Sequence, residues 1–367
     1  MAESSSKKFC FIVNELYLGG AQRLVVDDVE ELRVRGYDVS LVTLRPTADR
    51  VTFEHLCHLP EGKRHTIVFS SVFDFGAYRE LVALMLREQY DVVITHLWLA
   101  NTIGRIAAYV AKSRVVIAFE QNVYDNVKSW KQFQMDRLLQ NVSTCVVAIS
   151  EAVKASIMRH GIREEKIRVL VNAIRPEDFQ HPVDRANTLT EFGIPDDSFV
   201  FITIGRLEKQ KAHDTLLRAF KEVPEGYLLI VGEGVLRAYL EEMIVSLGLT
   251  GRVFLVGVRK DIPSLLGSSD CFVFPSRYEG VGVVMLEALA AGLPVIATDF
   301  GPAREILTDG TDGLIVPIDD MAQLAEKMRT VADSPDLRAS LSAAGKVTAG
   351  HYSIQNHVDT LLEMIPT

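Results

Sequence analysis

Two glutamates and two glycines form the densest group of candidate binding residues in the sequence. Glu279 and Glu287 lie in SRYEGVGVVMLEAL, directly after an apolar run that ends at Pro275. Gly280 and Gly282 allow a ligand to approach the backbone closely, and the start of the helix expected beyond them favours a phosphate. Eight residues of helix separate the two carboxylates by about 12 Å, which is too far for an acid–base pair. The spacing favours a ligand that has hydroxyl groups on both sides of a phosphate.

A second group consists of cations that follow the apolar run FITI. Gly205 and Arg206 are followed within five residues by Lys209 and Lys211. Arginine offers a two-pronged donor and lysine a point charge, so a loop of this composition can neutralise a diphosphate. A solvated surface loop would explain the charges equally well if they stood alone. Together with the glycine-rich helix start roughly 70 residues later, they predict a phosphate site.

A third group is the glycine pair Gly19-Gly20, which follows the first apolar run. Such a pair at a turn from strand to helix can form a nest of N–H groups for anionic oxygens. The nearest approach to a dinucleotide fingerprint, Gly232-Glu-Gly234, lacks the third glycine. No G-x-x-x-x-G-K-[ST] sequence is present, which argues against a P-loop ATPase.

Twelve apolar runs alternate with helical patterns along the chain and must position these groups. They cover residues 8–14, 39–44, 91–96, 114–119, 144–149, 167–172, 198–205, 227–232, 252–257, 270–275, 294–298 and 313–317. Uninterrupted apolar runs are typical of parallel strands that are buried on both faces. The proline-containing segment 173–196 predicts a linker between two series. We therefore expect an α/β fold of two Rossmann-like, doubly wound parallel sheets, with ligands bound in a central cleft between them.

Composition agrees with two domains and excludes several classes of function. The chain has 367 residues, a net charge of −9, 48% hydrophobic and 24% charged residues, which is typical of a globular protein. The acidic total argues against a nucleic-acid partner. Residues 1–180 are close to neutral and the remainder carries about ten negative charges, so the first half could approach an anionic surface more easily. Without a signal peptide or an apolar run long enough to span a bilayer, we expect a cytoplasmic protein.

Taken in order, these motifs resemble glycosyltransferase family 4. The resemblance rests on the early Gly-Gly-Ala, on G-R-x4-K, on E-x7-E, and on AGLPVIATDFGPAREIL followed by DGLIVP, and it spans essentially the whole chain. It implies a GT-B fold and a retaining enzyme that uses a nucleoside diphosphate sugar, UDP- or GDP-linked. It also implies an acceptor-binding domain over 1–175, a donor-binding domain over 176–351, and a C-terminal helix, 352–367, that crosses back onto the first domain.

The resemblance assigns catalytic roles to four residues. Arg206 and Lys211 match the pair that binds the diphosphate, and Glu279 matches the glutamate that contacts the donor sugar. His96 matches a histidine near the transferred sugar, although a strand-ending histidine could equally be a core residue.

Further donor-binding positions follow from the same motifs and from the fold. Glu287 matches the residue that holds the ribose hydroxyls, and Val258 follows the strand FLVG, where we expect the base to be recognised. The remaining positions contribute mainly backbone, and they are Gly20, Gly205, Gly280, Gly282, Val283 and Val284.

The acceptor is less well indicated. Glu120 and Asn122 resemble an acceptor-side Glu-His-Asn stretch, but Gln121 replaces the histidine. The segment 124–141 combines aromatic and basic residues, among them Trp130, and it could be an interfacial helix at a membrane or an ordinary packing helix. We expect a glycan, a lipid-linked or a small-molecule acceptor, with possible peripheral contact at the inner membrane face.

The expected chemistry is sugar transfer with retention, without a cofactor or a metal. Cations and a helix start would stabilise the departing diphosphate, and no Asp-x-Asp is present to hold a metal ion. The sequence contains no evident nucleophilic carboxylate, which favours front-side displacement over a covalent intermediate. Two alternatives stay open: a nucleotide-sugar isomerase of the 2-epimerase type with the same architecture, and a non-catalytic subunit that binds sugar nucleotides.

Overall fold

The chain divides into two compact units, one formed by Met1–Ala173 with Ile354–Thr367 and the other by Ile174–Ser353. The computed structural model describes residues 7–17, 19–46, 52–123 and 128–366. Each unit is built on its own parallel sheet, as the apolar runs predict.

Seven strands, counted over the described residues of the first unit, form one sheet in the order β3-β2-β1-β4-β5-β6-β7. They are β1 (Lys8–Val13), β2 (Asp38–Thr43), β3 (Arg64–Thr66), β4 (Val92–His96), β5 (Val115–Glu120), β6 (Cys145–Ala148) and β7 (Ile167–Val169). The helices of this unit are α1 (Gly20–Val34), α2 (Phe75–Glu88), α3 (Trp98–Val110), α4 (Trp130–Leu139), α5 (Glu151–Arg159) and, from the end of the chain, α14 (Ile354–Glu363).

The second unit repeats the plan with six strands in the order β10-β9-β8-β11-β12-β13, all of them within residues that the structure describes. They are β8 (Val200–Ile204), β9 (Tyr227–Val231), β10 (Val253–Gly257), β11 (Cys271–Phe274), β12 (Val295–Thr298) and β13 (Leu314–Val316). The helices are α6 (Arg185–Thr190), α7 (His213–Lys221), α8 (Arg237–Ser246), α9 (Ile262–Gly267), α10 (Val283–Ala291), α11 (Ala303–Ile306), α12 (Met321–Asp333) and α13 (Pro335–His351).

Strand order reverses direction once in each sheet, and these reversals determine where ligands can bind. In the first sheet the reversal lies between β1 and β4, whose last residues Val13 and His96 are register partners. In the second sheet it lies between β8 and β11. Helices leave such a point toward opposite faces and open a crevice at the carboxyl ends of the strands. The loops that follow β1, β4, β8 and β11 carry most of the candidate residues.

The segment 173–196 contains the point, Ala173/Ile174, where the chain passes from the first unit to the second, but it is folded and is not the extended linker that its prolines suggested. It forms a short 3-10 turn, Pro176–Phe179, and helix α6, which bury Phe179 and Leu189 in the second unit. Its prolines sit where they interrupt no helix, because Pro176 occupies the first position of the turn. Composition alone misled here, because polar filler between prolines hides the few apolar residues that pack.

Two elements were missing from the expected series. Strand β3 has only three residues and none is apolar, so no periodicity marks it. Helix α13 follows α12 with only Ser334 between them; the Ser334 side chain accepts a hydrogen bond from the Leu337 N–H, and Pro335 opens the new helix. Because only one residue separates the two helices, the sequence shows no loop between them that would mark the start of α13.

The last helix returns to the first unit, where it packs against α1. Arg35 at the end of α1 forms an ion pair with Asp359 and donates to the carbonyl of Gln355 at 3.0 Å. His357, on the buried face of α14, has its Nδ1 2.9 Å from the Val171 carbonyl oxygen. Helix α13 ends at His351, so the returning helix is Ile354–Glu363 rather than all of 352–367.

Candidate functional site

The loop after β8 presents Arg206 and Lys211 in different ways. Arg206 is 67% exposed and bonds only to Glu208, at 2.9 Å, within the described chain. The Lys211 side chain folds back over Gly205, where an added Cβ would lie 3.0 Å from Lys211 Cδ. Glycine at position 205 therefore gives the lysine its path. One cation of the predicted pair is at the surface, and the other is held in place by packing.

Lys211 is held at its end by a carboxylate and an aromatic ring. Its Nζ donates to Glu279 Oε1 at 2.6 Å and lies 5.0 Å from the centroid of the Phe274 ring. Glu279 is buried in the loop between β11 and α10. The structure thus brings together the two motifs that the sequence separates by 68 residues.

Helix α10 begins without a side-chain cap, at a backbone turn that requires glycine. Gly282 has φ +82°, and a Cβ at this position would lie 2.6 Å from the Phe274 ring. The N-cap residue, Gly282, has no side chain that could bond to the first N–H groups of the nine-residue helix. The backbone at Val283 and Val284 can therefore offer its N–H groups to an anion. Glu287 is half-buried on the second turn.

Gly232 and Gly234 have a packing role that explains the partial dinucleotide pattern. A Cβ at Gly232 would lie 2.1 Å from the Gly205 carbonyl oxygen, and one at Gly234 would lie 2.5 Å from that of Leu207. Both glycines let the loop after β9 pack directly on the loop that carries Arg206. Val258 follows β10 and is half exposed, where it can contact a ligand.

Arg277 and Gln210 join the two donor-side loops, and sequence reasoning did not single them out. The Arg277 N–H donates to the Gln210 carbonyl at 2.8 Å, and Gln210 Nε2 donates to the Tyr278 carbonyl at 2.8 Å. The available signal was that Arg277 lies two residues before Glu279 and Gln210 one residue before Lys211.

In the first unit, His96 ends β4 and is entirely buried. Its ring stacks on Phe119 with centroids 4.3 Å apart, and burial, followed by the nearby His357, lowers the pKa of His96 to about 3. The imidazole is therefore neutral at physiological pH. Its Nδ1 lies 3.2 Å from the amide nitrogen of Gln121, which can only donate, so the ring proton is on Nε2. Nε2 has no partner within the described residues.

The position of His96 bears on both interpretations of this residue. Stacking and burial agree with a core histidine, whereas an unpaired Nε2–H agrees with a ligand contact. Gln121, at the position where the resemblance led us to expect a histidine, also accepts from Asn172 Nδ2 at 2.9 Å and so fixes the amide orientation that sets the His96 tautomer.

Glu120 lies in a closed group of charges rather than on an open surface. Its carboxylate accepts from Lys128 Nζ at 2.7 Å, and the same ammonium bonds to Asp136 at 2.8 Å. Asp136 also accepts from Arg105 at 2.5 Å, and these four side chains are only 1–5% exposed. The acceptor role of Glu120 stays a prediction. Lys128, which the sequence grouped with the cations of the 124–141 segment, points inward.

The other first-unit positions lie at the ends of elements. Gly20 opens α1 and is exposed, with Gly19 as an N-cap that has no side chain, while Leu18 falls outside the described residues. Asn122 is half-buried, and its Oδ1 has no hydrogen-bond partner among the described residues. Of the 124–141 segment, residues 124–127 also lie outside the described residues.

Family models match almost the entire chain. The model of glycosyl transferases group 1 matches residues 184–348, and the model of glycosyltransferase family 4 matches residues 18–178.

Curated relatives match along most of their length. The chain is 27% identical over 371 residues to the UDP-Gal:alpha-D-GlcNAc-diphosphoundecaprenol alpha-1,3-galactosyltransferase of Escherichia coli, covering 95% of this chain and 93% of that protein. It is 29% identical over 339 residues to the capsular polysaccharide biosynthesis glycosyltransferase CapM of Staphylococcus aureus, with 88% of each chain covered.

Solved structures share the fold. Anabaena Alr3699/HepE, in complex with UDP and glucose, superposes with a TM-score of 0.85 at 22% identity, over 97% of this chain and 98% of that chain. The described residues contain no helix that is both long and apolar enough to cross a membrane.

Proposed function

Because the chain belongs to glycosyltransferase family 4, we propose that it transfers a sugar from a UDP-sugar to an acceptor hydroxyl, with retention and without a metal ion. The observation that carries the proposal is the 2.6 Å contact of Lys211 with Glu279, beside the uncapped start of α10. This arrangement places a cation, a carboxylate and free N–H groups at the reversal of the second sheet, where α/β folds bind nucleotides.

The donor-side residues divide the work between the diphosphate and the sugar. We assign Arg206, Lys211 and the first N–H groups of α10 to the diphosphate, because each carries or concentrates positive charge. Glu279 accepts hydrogen bonds and suits the sugar hydroxyls, and Glu287 suits the ribose. Val258 would contact the base.

In the proposed reaction, the bond between the anomeric carbon and the diphosphate breaks while the acceptor oxygen attacks from the same side. Negative charge grows on the departing phosphate oxygen, and Lys211 and α10 are already oriented to stabilise it. That oxygen is also the proposed acceptor of the proton from the attacking hydroxyl. A metal ion would only duplicate the charge of the two cations.

His96 would act as a neutral hydrogen-bond donor to the sugar. Its lowered pKa keeps the ring uncharged at physiological pH, so it is not a proton source in the reaction. The Nε2–H, fixed by Gln121 on the other side of the ring, is the atom that would contact a sugar oxygen.

Two similar proteins support UDP as the carrier. The Escherichia coli relative is named as using UDP-Gal, and the Anabaena structure holds UDP. The test is incubation with UDP-, GDP- and ADP-sugars, with and without EDTA, followed by NMR of the product. We expect consumption of a UDP-sugar that EDTA does not abolish and an anomeric configuration that is preserved. An epimerised sugar nucleotide would indicate the isomerase instead, and an unchanged donor would indicate a binding subunit.

For the acceptor, we propose a sugar carried on a lipid diphosphate. The Escherichia coli relative is named for such an acceptor. A protein that acts on it works at the inner face of the membrane, and helix α4 offers a suitable surface. Trp130 is 72% exposed, Leu138 is also exposed, and Lys131 and Arg137 lie on the same exposed face. The helix's one acid, Asp136, is buried, so its exposed charges are all positive.

Vesicle flotation tests this surface directly. We expect the protein to float with vesicles containing phosphatidylglycerol and not with phosphatidylcholine alone, and the combination of Trp130→Ala with Lys131→Glu to remove binding. Phe75→Ala is a matched control, because Phe75 on α2 is 81% exposed and also has an exposed cation, Arg79, one helical turn away. If the Phe75→Ala variant no longer floats with vesicles and the α4 variant still does, the membrane contact is made by α2 and not by α4.

A further inference from the structure

The guanidinium of Arg277 is engaged by protein groups on every nitrogen. Nε donates to both carboxylate oxygens of Asp319, at 3.0 and 2.9 Å. Nη1 donates to the Lys209 carbonyl at 2.5 Å, and Nη2 donates to Asp214 at 3.3 and 3.2 Å and to Thr215 Oγ1 at 3.2 Å. A cation within the glycine-rich motif is thus turned away from the role of phosphate ligand.

These partners come from three separate segments of the second unit. Lys209 belongs to the 3-10 turn Lys209–Lys211, Asp214 and Thr215 to the first turn of α7, and Asp319 to the loop between β13 and α12. Asp319 is held in turn by Thr215 Oγ1 at 2.7 Å. The hydrogen bonds from Arg277 lower the pKa of Asp319, which keeps this carboxylate ionised and bound.

Arg277 also takes part in hydrogen bonds that lie next to the Lys211–Glu279 contact in both loops. Its backbone N–H donates to the Gln210 carbonyl, and Gln210 Nε2 donates to the Tyr278 carbonyl. Gln210 directly precedes Lys211, and Tyr278 directly precedes Glu279. A lysine side chain is flexible. The Lys211 ammonium therefore stays at a fixed point beside Glu279 only if the backbones of their two loops stay at a fixed distance from each other. A displacement of about 1 Å in such a site can cost about a hundredfold in rate.

We propose that Arg277 is the positioning residue of the donor site: it joins the loop of Glu279 to the loop of Lys211 and thereby sets where the Lys211 ammonium meets the departing phosphate. This inference rests on the proposed donor-binding function and deepens it. In this proposal Arg277 acts only through the two loops, because its guanidinium is engaged by protein groups.

A double-mutant cycle on activity gives the first test. With the UDP-sugar identified by the donor panel, we expect Arg277→Ala to lower kcat/KM about 10- to 100-fold in the wild type but less than about 3-fold in the Lys211→Ala background. The fall should be in kcat, with a smaller change in the Kd for UDP. Equal falls in both backgrounds would overturn the proposal, because a purely structural loss is independent of Lys211.

A second cycle does not depend on activity. The coupling between Lys211→Met and Glu279→Gln is measured by urea unfolding, once in the wild type and once in the Arg277→Ala background. We expect the coupling, expressed as a ratio of unfolding constants, to fall at least about 3-fold without Arg277. An unchanged coupling would overturn the proposal. If the wild type consumes no sugar nucleotide, the proposed function fails while this cycle still decides the role of Arg277.

Arg185→Ala is the matched control. Arg185 is as exposed as Arg277, at 27%, and its guanidinium also bonds to backbone carbonyls, those of Asp196, Ser198 and Ser268, and to the carboxylate of Asp270. It lies at the opposite, amino-terminal end of β8 and β11. We expect Arg185→Ala to lower stability without changing either coupling, and Arg277→Lys to restore only part of kcat because lysine lacks the planar fork.

Discussion

Each unit carries a cluster of opposite charges at the carboxyl end of its sheet, and the two clusters differ in their access to water. In the first unit, the ammonium of Lys128 lies between Glu120 and Asp136 in a group with almost no exposed surface. In the second unit, Glu279 is buried, but the side chain of Lys211 is 15% exposed and that of Arg206 is open to solvent.

The difference shows that residue type does not separate a structural ion pair from a binding site. The first cluster is closed: Arg105 and Lys128 balance the two acids, and their charges are used within the fold. The second is open: it lies beside a helix start without a side-chain cap, and the ion pair of Arg206 with Glu208 is exposed to solvent. We therefore expect mutations in the first cluster to change stability and mutations in the second to change activity.

The largest expected effect is on the stability of the closed cluster. Lys128→Met leaves two carboxylates buried with only one cation, which should lower the free energy of unfolding by about 3–5 kcal/mol. Urea unfolding followed by tryptophan fluorescence measures this in the first unit, which holds both tryptophans, Trp98 and Trp130. Adding Glu120→Gln should recover part of the loss. A loss below about 1 kcal/mol would mean that the cluster is not closed in solution.

Lys211→Ala should have a comparable effect on activity and a smaller one on stability. Removing one oriented donor to a developing negative charge costs about 3–4 kcal/mol of transition-state stabilisation, a fall of about 100- to 1000-fold in kcat/KM. Water can reach Glu279 after the substitution, so the loss of stability should be below that of Lys128→Met. Wild-type kcat/KM in this variant, without added metal, would contradict the assignment.

Acid should destabilise the first unit more steeply than the second. Burial lowers the pKa of His96 to about 3 and of His357 to about 4 in the first unit, and of His213 to about 4 in the second. Below the unfolded value of 6.5 the unfolded chain binds these protons and the folded chain does not. Stability then falls as pH drops from 6.5 to about 4, by about 1.4 kcal/mol per pH unit for each histidine.

Unfolding at pH 5 and 6.5 checks this difference. His357→Gln should reduce the pH dependence of the transition seen by tryptophan fluorescence, and His213→Gln should leave it unchanged. Equal effects of the two substitutions would show that both units unfold in a single transition.

The smallest expected effect is that of Arg206→Ala on stability. Its single ion pair with Glu208 is exposed, so the free energy of unfolding should change by less than about 0.5 kcal/mol. The same variant should bind UDP more weakly, as titration calorimetry would measure. A stability loss as large as that of Lys128→Met would remove the contrast between the two clusters.

Much of the fold could be predicted because buried parallel strands have a composition of their own. All twelve apolar runs are strands, and the two doubly wound sheets follow from their alternation with helices. Strand β3 and helix α13 escaped, since a three-residue polar edge strand and a helix that starts one residue after another leave no periodic signal. The segment 173–196 does contain the boundary between the units, but the sequence did not show that it is folded, because a few buried side chains such as Phe179 decide its packing.

The sequence by itself determined which chemical groups are available at the donor side. Short motifs show these groups because each is needed locally. Tight backbone turns need the glycines at 205 and 282, and a charged ligand needs the cations and the two glutamates. Only the tertiary structure decided how these groups are used. It joins Lys211 to Glu279 across 68 residues, surrounds Arg277 with acceptors from three segments, and closes Lys128 away from solvent. Burial and hydrogen-bond partners depend on residues far apart in the chain, and the energy of a charge depends on both.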